Sequence, residues 1–161
     1  MKTLIINFSY HHRNTEKVAE VFAGVLNAQI KTPQQVEAQE LKEYDLIGLG
    51  SGIYSSSHHK SLIELIDRLH QVDDKKAFIF STCGVPAFAL NRGTDEDYIK
   101  KAHSSLRNKL QSKGYKIIDE FMCAGFNTNS FLKLFGGINK GRPNVKDLKN
   151  AEVFAQKLKD N

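Results

Sequence analysis

The sequence has 161 residues and a mass of 18.1 kDa, a length typical of one compact unit, so we expect residues 1–161 to form a single domain. Hydrophobic residues make up 40% and charged residues 25%, which excludes a disordered, collagen-like or coiled-coil chain. With 23 Lys and Arg against 18 Asp and Glu, the net charge is +5, compatible with nucleic acid, a membrane surface or an acidic partner.

Membrane and export signals are weak in this sequence. No apolar run reaches the roughly 18 residues that a membrane span needs, and residues 1–8 are too short for a signal peptide. Cys83 and Cys123 form neither a CxxC pair nor a disulfide framework, which is typical of a reducing compartment. We therefore expect a cytoplasmic protein with no membrane span.

The first part of the chain predicts a strand, a helix and a second strand. Residues 3–8 are apolar and rich in isoleucine, as in a buried strand. Asn14 or Thr15 is placed to cap a following helix. That helix is predicted by one apolar face, at Val18, Val21, Phe22, Val25 and Leu26. Residues 28–31 predict a short strand, and residues 33–43 a loop or a short surface helix.

The strand, loop and helix pattern then repeats twice. In the second unit, residues 45–50 predict a buried strand and residues 51–57 a loop. In the third unit, residues 77–80 predict a strand and residues 81–94 a loop. The helices that follow are predicted from two apolar faces, at Leu62, Leu65, Ile66 and Leu69 and at Ile99, Ala102, Leu106 and Leu110. Gly114 is expected to end the second of them.

The last part predicts a strand at residues 115–122, an irregular stretch at 123–144 and a final helix. Strands that alternate with amphipathic helices predict an α/β fold. We expect a three-layer, five-stranded parallel sheet in the order 2-1-3-4-5, with helices on both faces. Ligands in such a sheet bind beyond the carboxyl ends of the strands, near the switch point between strands one and three. The loops at 9–15, 51–57 and 81–94 are therefore the candidates for a site.

The loop at residues 9–15 reads Ser-Tyr-His-His-Arg-Asn-Thr and opens onto a helix N-terminus. Hydroxyl, amide and guanidinium groups beside the positive end of a helix dipole suit a phosphate monoester. The alternative is an ordinary polar turn with Asn14 as its cap.

The other two loops combine small residues with one aromatic each, Tyr54 and Phe88. Small residues let backbone groups approach a flat ligand edge-on, and an aromatic ring offers it a stacking face. The alternative is that each ring plugs its own loop. Cys83 is either a redox-active group or a small buried thiol.

Three segments resemble the flavodoxin family. Residues 8–19, Phe-Ser-Tyr-His-His-Arg-Asn-Thr-Glu-Lys-Val-Ala, look like its phosphate loop, whereas Gly50-Ser-Gly-Ile-Tyr54 and Phe80-Ser-Thr-Cys-Gly84 resemble its second and third flavin loops. The resemblance covers nearly the whole chain and implies noncovalent FMN. The residues that it implies around the phosphate are Ser9, His11, Arg13, Asn14 and Thr15. Those that it implies in the other two loops are Ser51, Gly52, Ile53, Tyr54, Ser81, Thr82, Cys83 and Gly84, with Tyr54 near the isoalloxazine.

The sequence departs from the usual flavodoxin pattern in its phosphate loop. Arg13 replaces the usual glycine, and His11 and His12 replace hydroxyl residues, so we expect side-chain cations at the phosphate. The backbone of Gly52 and Ile53 is expected to meet flavin N5.

Other motifs carry less weight. Gly48-Leu-Gly-Ser-Gly52 lacks the third glycine of a dinucleotide fingerprint, and residues 136–143 lack the Lys and Ser/Thr of a P-loop. The pairs His11-His12 and His58-His59 have no carboxylate or thiolate beside them. We therefore expect no metal site, and histidines that are solvated or touch the phosphate.

The family resemblance implies an electron carrier that shuttles electrons between a reductase and an acceptor protein, as a monomer or weak homodimer with no catalytic residue of its own. The alternative is an FMN-dependent reductase or oxidase acting on a quinone, a porphyrinogen or a similar small molecule. Its pocket would be walled by Phe126, Phe131, Leu134 and Phe135, which otherwise cover the last strand and pack the final helix. A third, flavin-free hypothesis is a nucleic-acid-binding module, but no lysine-rich stripe with interleaved aromatics supports it, so we expect no nucleic-acid partner.

Overall fold

The computed structural model describes residues 1–90 and 95–160. Its strands are β1 (Thr3–Phe8), β2 (Gln29–Lys31), β3 (Leu46–Tyr54), β4 (Ser57–His58), β5 (Lys75–Cys83) and β6 (Tyr115–Ala124). Its α-helices are α1 (Asn14–Leu26), α2 (Lys60–Arg68), α3 (Ala87–Leu90), α4 (Asp95–Ser112) and α5 (Val145–Asp160). Short 3-10 helices cover Pro33–Gln35, Glu40–Glu43 and Ser130–Phe135.

The strands form a parallel sheet in the order β2-β1-β3-β5-β6, and the short β4 pairs antiparallel with the end of β3. This confirms the predicted α/β fold and, with β4 left out of the count, the predicted order 2-1-3-4-5. Apolar side chains of α1 and α5 pack on one face of the sheet, and those of α2 and α4 on the other. Among the described residues, none of the helices combines the length and apolarity needed to cross a bilayer.

Phe22 lies at the centre of the core between the sheet and the pair α1 and α5. It is fully buried, and its ring centroid lies 5.2 Å from that of Phe80 and 5.5 Å from those of Phe121 and Phe154. The neighbouring strand makes room for these rings, because a Cβ atom on Gly50 would lie 2.3 Å from the ring of Phe80. The aromatic cluster therefore fixes how α1 lies on the sheet.

Replacing Phe22 by alanine is expected to lower the free energy of unfolding by about 3–5 kcal/mol, because it removes a buried ring that neighbouring rings cannot replace. Urea denaturation measures this difference. Val153→Ala is the control: Val153 is 61% exposed on α5, and the change should stay within about 0.5 kcal/mol. Equal losses in the two variants would show that the aromatic cluster does not organise this core.

The structure differs from the sequence prediction after β3. The predicted loop at 51–57 is instead a continuation of β3 to Tyr54, a turn at Ser55 and Ser56, and the return strand β4. Both turn residues have positive φ, 49° and 65°, and such a pair suits the right-handed twist of a two-stranded hairpin. Likewise β5 continues to Cys83, which pairs with Ala124 of β6, so residues 81–83 of the predicted loop are strand. Residues 91–94 of that loop lie outside the described residues.

The start of α1 corrects another prediction. Neither Asn14 nor Thr15 caps the helix, because the cap position is Arg13, with φ 52°, and it has no side-chain cap hydrogen bond. The Asn14 side chain instead donates to the carbonyl oxygen of Phe126 at 2.8 Å. The Thr15 hydroxyl lies 2.8 Å from that of Thr82. Neither side chain caps α1, because Asn14 bonds to the segment after β6 and Thr15 bonds to β5.

The segment after β6 folds back over the carboxyl edge of the sheet. Asn127 and Ile138 form an antiparallel bridge, and Asn139 ties the segment to the end of β5. The Asn139 side-chain amide donates to the carbonyl oxygen of Val85 at 2.8 Å and accepts from the N–H of Ala87 at 3.0 Å. The segment after β6 therefore covers part of the sheet edge at which the sequence predicts a site.

Candidate functional site

A cavity opens at the carboxyl edge of the sheet, beside the ends of β3, β5 and β6 and the start of α1. The predicted residues that line it are His11, Asn14, Thr15, Gly52, Ile53, Tyr54, Thr82, Cys83 and Gly84. The further residues that line it are Gly125, Phe126, Asn127 and Asn129. The sequence predicts Phe126 as a possible pocket wall, but it places Gly125, Asn127 and Asn129 only in an irregular stretch. These residues could have been predicted from their position directly after β6, because β6 pairs with β5 and ends at the same edge of the sheet.

The start of α1 carries groups that suit an anion. The backbone N–H groups of Asn14, Thr15 and Glu16 lie in the first turn of α1, where an α-helix leaves its amides without intrahelical acceptors. Free amides at the positive end of a helix dipole favour a bound negative charge at this end of the cavity.

Arg13 and Ser9 do not line this cavity. The guanidinium of Arg13 instead binds the carboxylate of Glu16, with Nη2 2.5 Å from Oε1, and the Arg13 side chain is 70% exposed. This hydrogen bond lowers the pKa of Glu16 below its ordinary value, so the pair is ionised at neutral pH. Glu16 therefore neutralises the cation that the sequence places beside a phosphate.

The two histidines of the first loop contact the segment after β6. His12 Nε2 lies 2.8 Å from the hydroxyl of Thr128, and the N–H of Thr128 donates to His11 Nε2 at 3.4 Å. Burial and the neighbouring His12 lower the pKa of His11 below its ordinary value. His11 is therefore a neutral hydrogen-bonding group at neutral pH, in contrast to the cation expected from the sequence.

Tyr54 forms an aromatic wall of the cavity. Its ring is stacked on that of Tyr10, with centroids 5.2 Å apart and an interplanar angle of 14°. Its hydroxyl lies over Gly52, where an added Cβ atom would be 2.6 Å from the oxygen. Burial, together with Tyr10, raises the pKa of Tyr54 to about 12, so the phenol stays neutral. Tyr54 therefore offers an uncharged ring beside the residues predicted to meet a flat ligand.

The apolar residues after β6 were predicted either to wall a pocket or to cover the last strand. Phe126 lines the cavity, but Phe131, Leu134 and Phe135 are 66%, 84% and 80% exposed. Phe88 is 66% exposed, so it does not plug its loop as the alternative prediction had it. Exposed apolar side chains therefore lie close in sequence to two parts of the cavity lining. Phe88 follows Gly84, and residues 131–135 follow Asn129.

Ser51 and Ser81 lie behind the cavity lining. They are paired across β3 and β5, both are fully buried, and each precedes a residue that lines the cavity. Ser51 Oγ donates to the carbonyl oxygen of Gly52 at 2.8 Å, accepts from the N–H of His59 at 3.0 Å, and lies 3.0 Å from His58 Nδ1. The two serines thus belong to a buried polar network directly beneath the site.

His58 corrects the prediction of solvated or phosphate-contacting histidines, because it is only 5% exposed. Its ring centroid lies 4.9 Å from that of His103, which is fully buried. His103 Nε2 lies 2.8 Å from Ser81 Oγ, and its Nδ1 lies 3.0 Å from a carboxylate oxygen of Glu120. Arg107 donates to the same carboxylate at 2.5 and 2.7 Å. Sequence spacing could not predict this network, since its members come from β3, β4, β5, α4 and β6.

Glu120 is expected to make stability depend on pH in the acid range. Burial acts to raise its pKa, but hydrogen bonds from His103 and Arg107 outweigh burial and lower the pKa to about 2. A lowered pKa in the folded state contributes stability that is present above the ordinary value near 4.5 and is lost as pH falls towards 2.

We therefore expect Glu120→Gln to destabilise the protein by on the order of 2 kcal/mol at pH 6 and much less near pH 2.5. Urea denaturation at a series of pH values measures this. Glu152→Gln, at a side chain that is 50% exposed on α5, should show no such trend. A Glu120→Gln effect that is constant across this range would contradict the assignment of the ionised carboxylate.

Comparison with known proteins identifies the family. A family model described as Flavodoxin domain matches residues 5–124. The chain is 45% identical over 162 residues to Uncharacterized protein MJ0298 of Methanocaldococcus jannaschii, and the match covers 100% of both chains. A solved flavodoxin from the domain Archaea has a TM-score of 0.72 at 16% identity, over 99% of this chain and 97% of that one.

A further solved structure, the general stress protein 14 of Treponema denticola in complex with FMN, has a TM-score of 0.65 at 11% identity and covers 98% of this chain and 99% of that one. Identities this low show the shared fold alone. The family model, in contrast, spans most of the sequence that forms the sheet and the cavity lining. The chain therefore belongs to the flavodoxin domain family.

Proposed function

We propose that the cavity binds FMN and that the protein carries electrons between protein partners. The observation that carries this proposal is the N-terminus of α1, whose first residues, Asn14 and Thr15, lie at one end of a cavity walled by Tyr54 and the small residues of β5. A phosphate monoester matches the first feature, and a flat ring matches the second. The FMN complex of the structurally similar stress protein supports the same choice of cofactor.

The residues present fit FMN. The backbone N–H groups in the first turn of α1 are donors that can face the phosphate end. Two glycines allow side chains of the lining to pack closely. A Cβ atom on Gly84 would lie 2.2 Å from the side-chain nitrogen of Asn127, and one on Gly125 would lie 2.8 Å from that of Asn14. A side chain at either glycine would therefore displace a residue that lines the cavity.

When bound, FMN supplies the redox chemistry, and the protein supplies binding, orientation and electrostatics. Tyr54 offers a stacking face, and Thr82 and Cys83, both nearly fully buried, keep water from the inner wall. Among the described residues that line the cavity, none is an Asp, Glu, Lys or Arg. A site without a strong acid, base or charged substrate anchor favours electron transfer over chemistry on a bound substrate.

The charge around the cavity indicates the kind of protein partner. Apart from Glu16, which pairs with Arg13, the segments that reach this edge, at 9–16, 46–63, 75–90 and 121–146, contain no Asp or Glu. Exposed lysines at Lys60, Lys133 and Lys140 lie in the same segments. Complementary charge steers association, so the partner surface that fits this edge is acidic.

Reduction of the FMN-loaded protein separates a carrier from an enzyme. A carrier should stay oxidised with NADPH or NADH alone and become reduced when a flavoprotein reductase is added. The second candidate is an FMN-dependent reductase of small apolar acceptors, which the exposed Phe131, Leu134 and Phe135 favour. Sustained NADPH oxidation with a benzoquinone and no added reductase would establish that candidate and contradict the carrier.

A further inference from the structure

Two histidines behind the cavity have no role in the proposed binding of FMN. His58 and His103 are 5% and 0% exposed, and their rings lie 4.9 Å apart. Neither lines the cavity, but each contacts a serine, Ser51 or Ser81, that directly precedes a lining residue. Two buried titratable rings this close to a redox site call for a chemical explanation.

The hydrogen bonds of His103 fix the position of its proton. The Glu120 carboxylate is held ionised by Arg107 and lies 3.0 Å from His103 Nδ1, so this nitrogen must donate. His103 Nε2 is then the nitrogen that accepts from the hydroxyl of Ser81, at 2.8 Å. An added proton on His103 would bind at Nε2, on the side facing the cavity wall.

The hydrogen bonds of His58 lead to a similar assignment. Ser51 Oγ donates its only hydrogen to the carbonyl oxygen of Gly52, so His58 Nδ1 carries a hydrogen and donates to Ser51. His58 Nε2 therefore has a free lone pair, and it is buried with no hydrogen-bond partner among the described atoms. The pair thus offers two unprotonated nitrogens at the back of the cavity.

We propose that the His58–His103 pair stores one proton when the cavity gains negative charge. This rests on the proposed function. When the bound cofactor receives two electrons from an external reductant, one proton from water binds to a ring nitrogen of the pair. When the electrons leave, that proton returns to water. Two charged rings 4.9 Å apart repel each other, so the pair accepts one proton and not two.

The surroundings explain why His58 is neutral before electrons arrive. Burial, and then His103, lower the pKa of His58 well below its ordinary value. The charged groups that face the pair are Glu120 from β6 and Arg107 from α4, and these largely neutralise each other. His59, at the start of α2, has its own pKa lowered by burial and by Lys60. New negative charge in the cavity is therefore the event that makes protonation of the pair favourable.

Protons can reach the pair through the outer end of the network. Arg107 and Glu120 are 20% and 16% exposed, and both line a groove between α4 and β6. From there the hydrogen-bonded chain runs through His103 to Ser81 without a break. The chain from Glu120 through His103 to Ser81 therefore joins this groove to the back of the cavity, and Arg107 holds Glu120 in place.

The pH dependence of the two-electron midpoint potential of the FMN-loaded protein tests the proposal. His58→Asn keeps an amide where Nδ1 contacts Ser51 but cannot be protonated, and His70→Asn is the control at an exposed position. A tenfold change in proton concentration corresponds to about 30 mV for a two-electron couple. Between about pH 6 and 8, the potential of the wild type and of His70→Asn should fall more steeply than that of His58→Asn, by about 30 mV per pH unit. Equal slopes would overturn the proposal.

Nuclear magnetic resonance of the imidazole groups tests it without relying on the variant. At pH 7 the signals of His58 or His103 in the loaded wild-type protein should move to protonated positions on reduction with dithionite and return on reoxidation. Signals that stay at neutral positions in both states would overturn the proposal, with FMN binding untouched. A protein that does not take up FMN would overturn this proposal and the proposed function together.

Discussion

Replacing Gly84 by valine is expected to weaken FMN binding strongly while the fold is kept. Gly84 lines the cavity at the end of β5, and a Cβ atom there would lie 2.2 Å from the side-chain nitrogen of Asn127 and 2.9 Å from its Cγ. Asn127 cannot move freely, because its side-chain oxygen accepts from the N–H of Asn129 at 2.9 Å. Valine at this position would therefore clash with Asn127 and distort the cavity lining. We expect FMN affinity to fall by about 100-fold or more, equivalent to about 3 kcal/mol.

The matched control is Gly24→Val on the exposed side of α1, where an added Cβ atom meets nothing within 4 Å. Quenching of FMN fluorescence measures binding, and circular dichroism measures the fold of both variants. Gly24→Val should bind FMN as the wild type does. Folded Gly84→Val protein that still binds FMN with wild-type affinity would show that the flat ring does not enter this cavity.

FMN is expected to bind about 100-fold or more tightly than riboflavin, which lacks the phosphate. Charge-assisted hydrogen bonds contribute about 1.5–3 kcal/mol each, and the amides of Asn14, Thr15 and Glu16 lie in the first turn of α1, at the positive end of its dipole. Binding of both flavins to the apoprotein, measured by calorimetry, gives the ratio. Equal affinities would place the phosphate away from the start of α1.

Glu16 provides a sharper test of the same end of the cavity. Its carboxylate lies in the first turn of α1 and holds Arg13 in an ion pair. Glu16→Gln should remove one negative charge, release Arg13, and tighten FMN about three- to fivefold without changing riboflavin affinity. Glu20→Gln, one turn further along α1, is the control and should have a smaller effect. The gain should diminish at high salt, because exposed charges are screened.

The sequence predicted the sheet and most of the cavity because both follow from periodicity and topology. Buried runs such as residues 3–8 and 77–80 leave little choice but a central strand, and parallel strands bring their carboxyl ends to one edge. The hairpin after β3 escaped prediction because its turn uses serines, Ser55 and Ser56, at positive φ instead of the usual glycine or asparagine. Its consequence is large, since the hairpin buries His58.

Contacts between side chains account for the other features of the site that the sequence did not predict. The sequence gives Arg13 as a cation beside a phosphate, but only the structure shows that Glu16 holds its guanidinium. Likewise, nothing in the spacing of His58, His103 and Glu120 indicates that they form one network. Side-chain partners depend on packing across strands, and a single sequence carries no direct record of it.

The structure shows which positive groups of the chain lie near the cavity and which of them are already paired or neutral. Of the cations that the sequence places at the phosphate, Arg13 is paired and His11 is neutral at neutral pH. The free helix amides are therefore the main attraction for a phosphate, and the exposed lysines around the cavity remain for a partner. Binding of the cofactor and docking of an acidic protein should thus respond differently to salt.

Titration of the apoprotein with FMN, followed by calorimetry and by the visible spectrum of the product, tests the central claim most directly. We expect one FMN per chain, bound at micromolar concentration or tighter, and a yellow protein that releases intact FMN on acid precipitation. A well-folded protein that stays colourless and shows no heat of binding at millimolar FMN would contradict it.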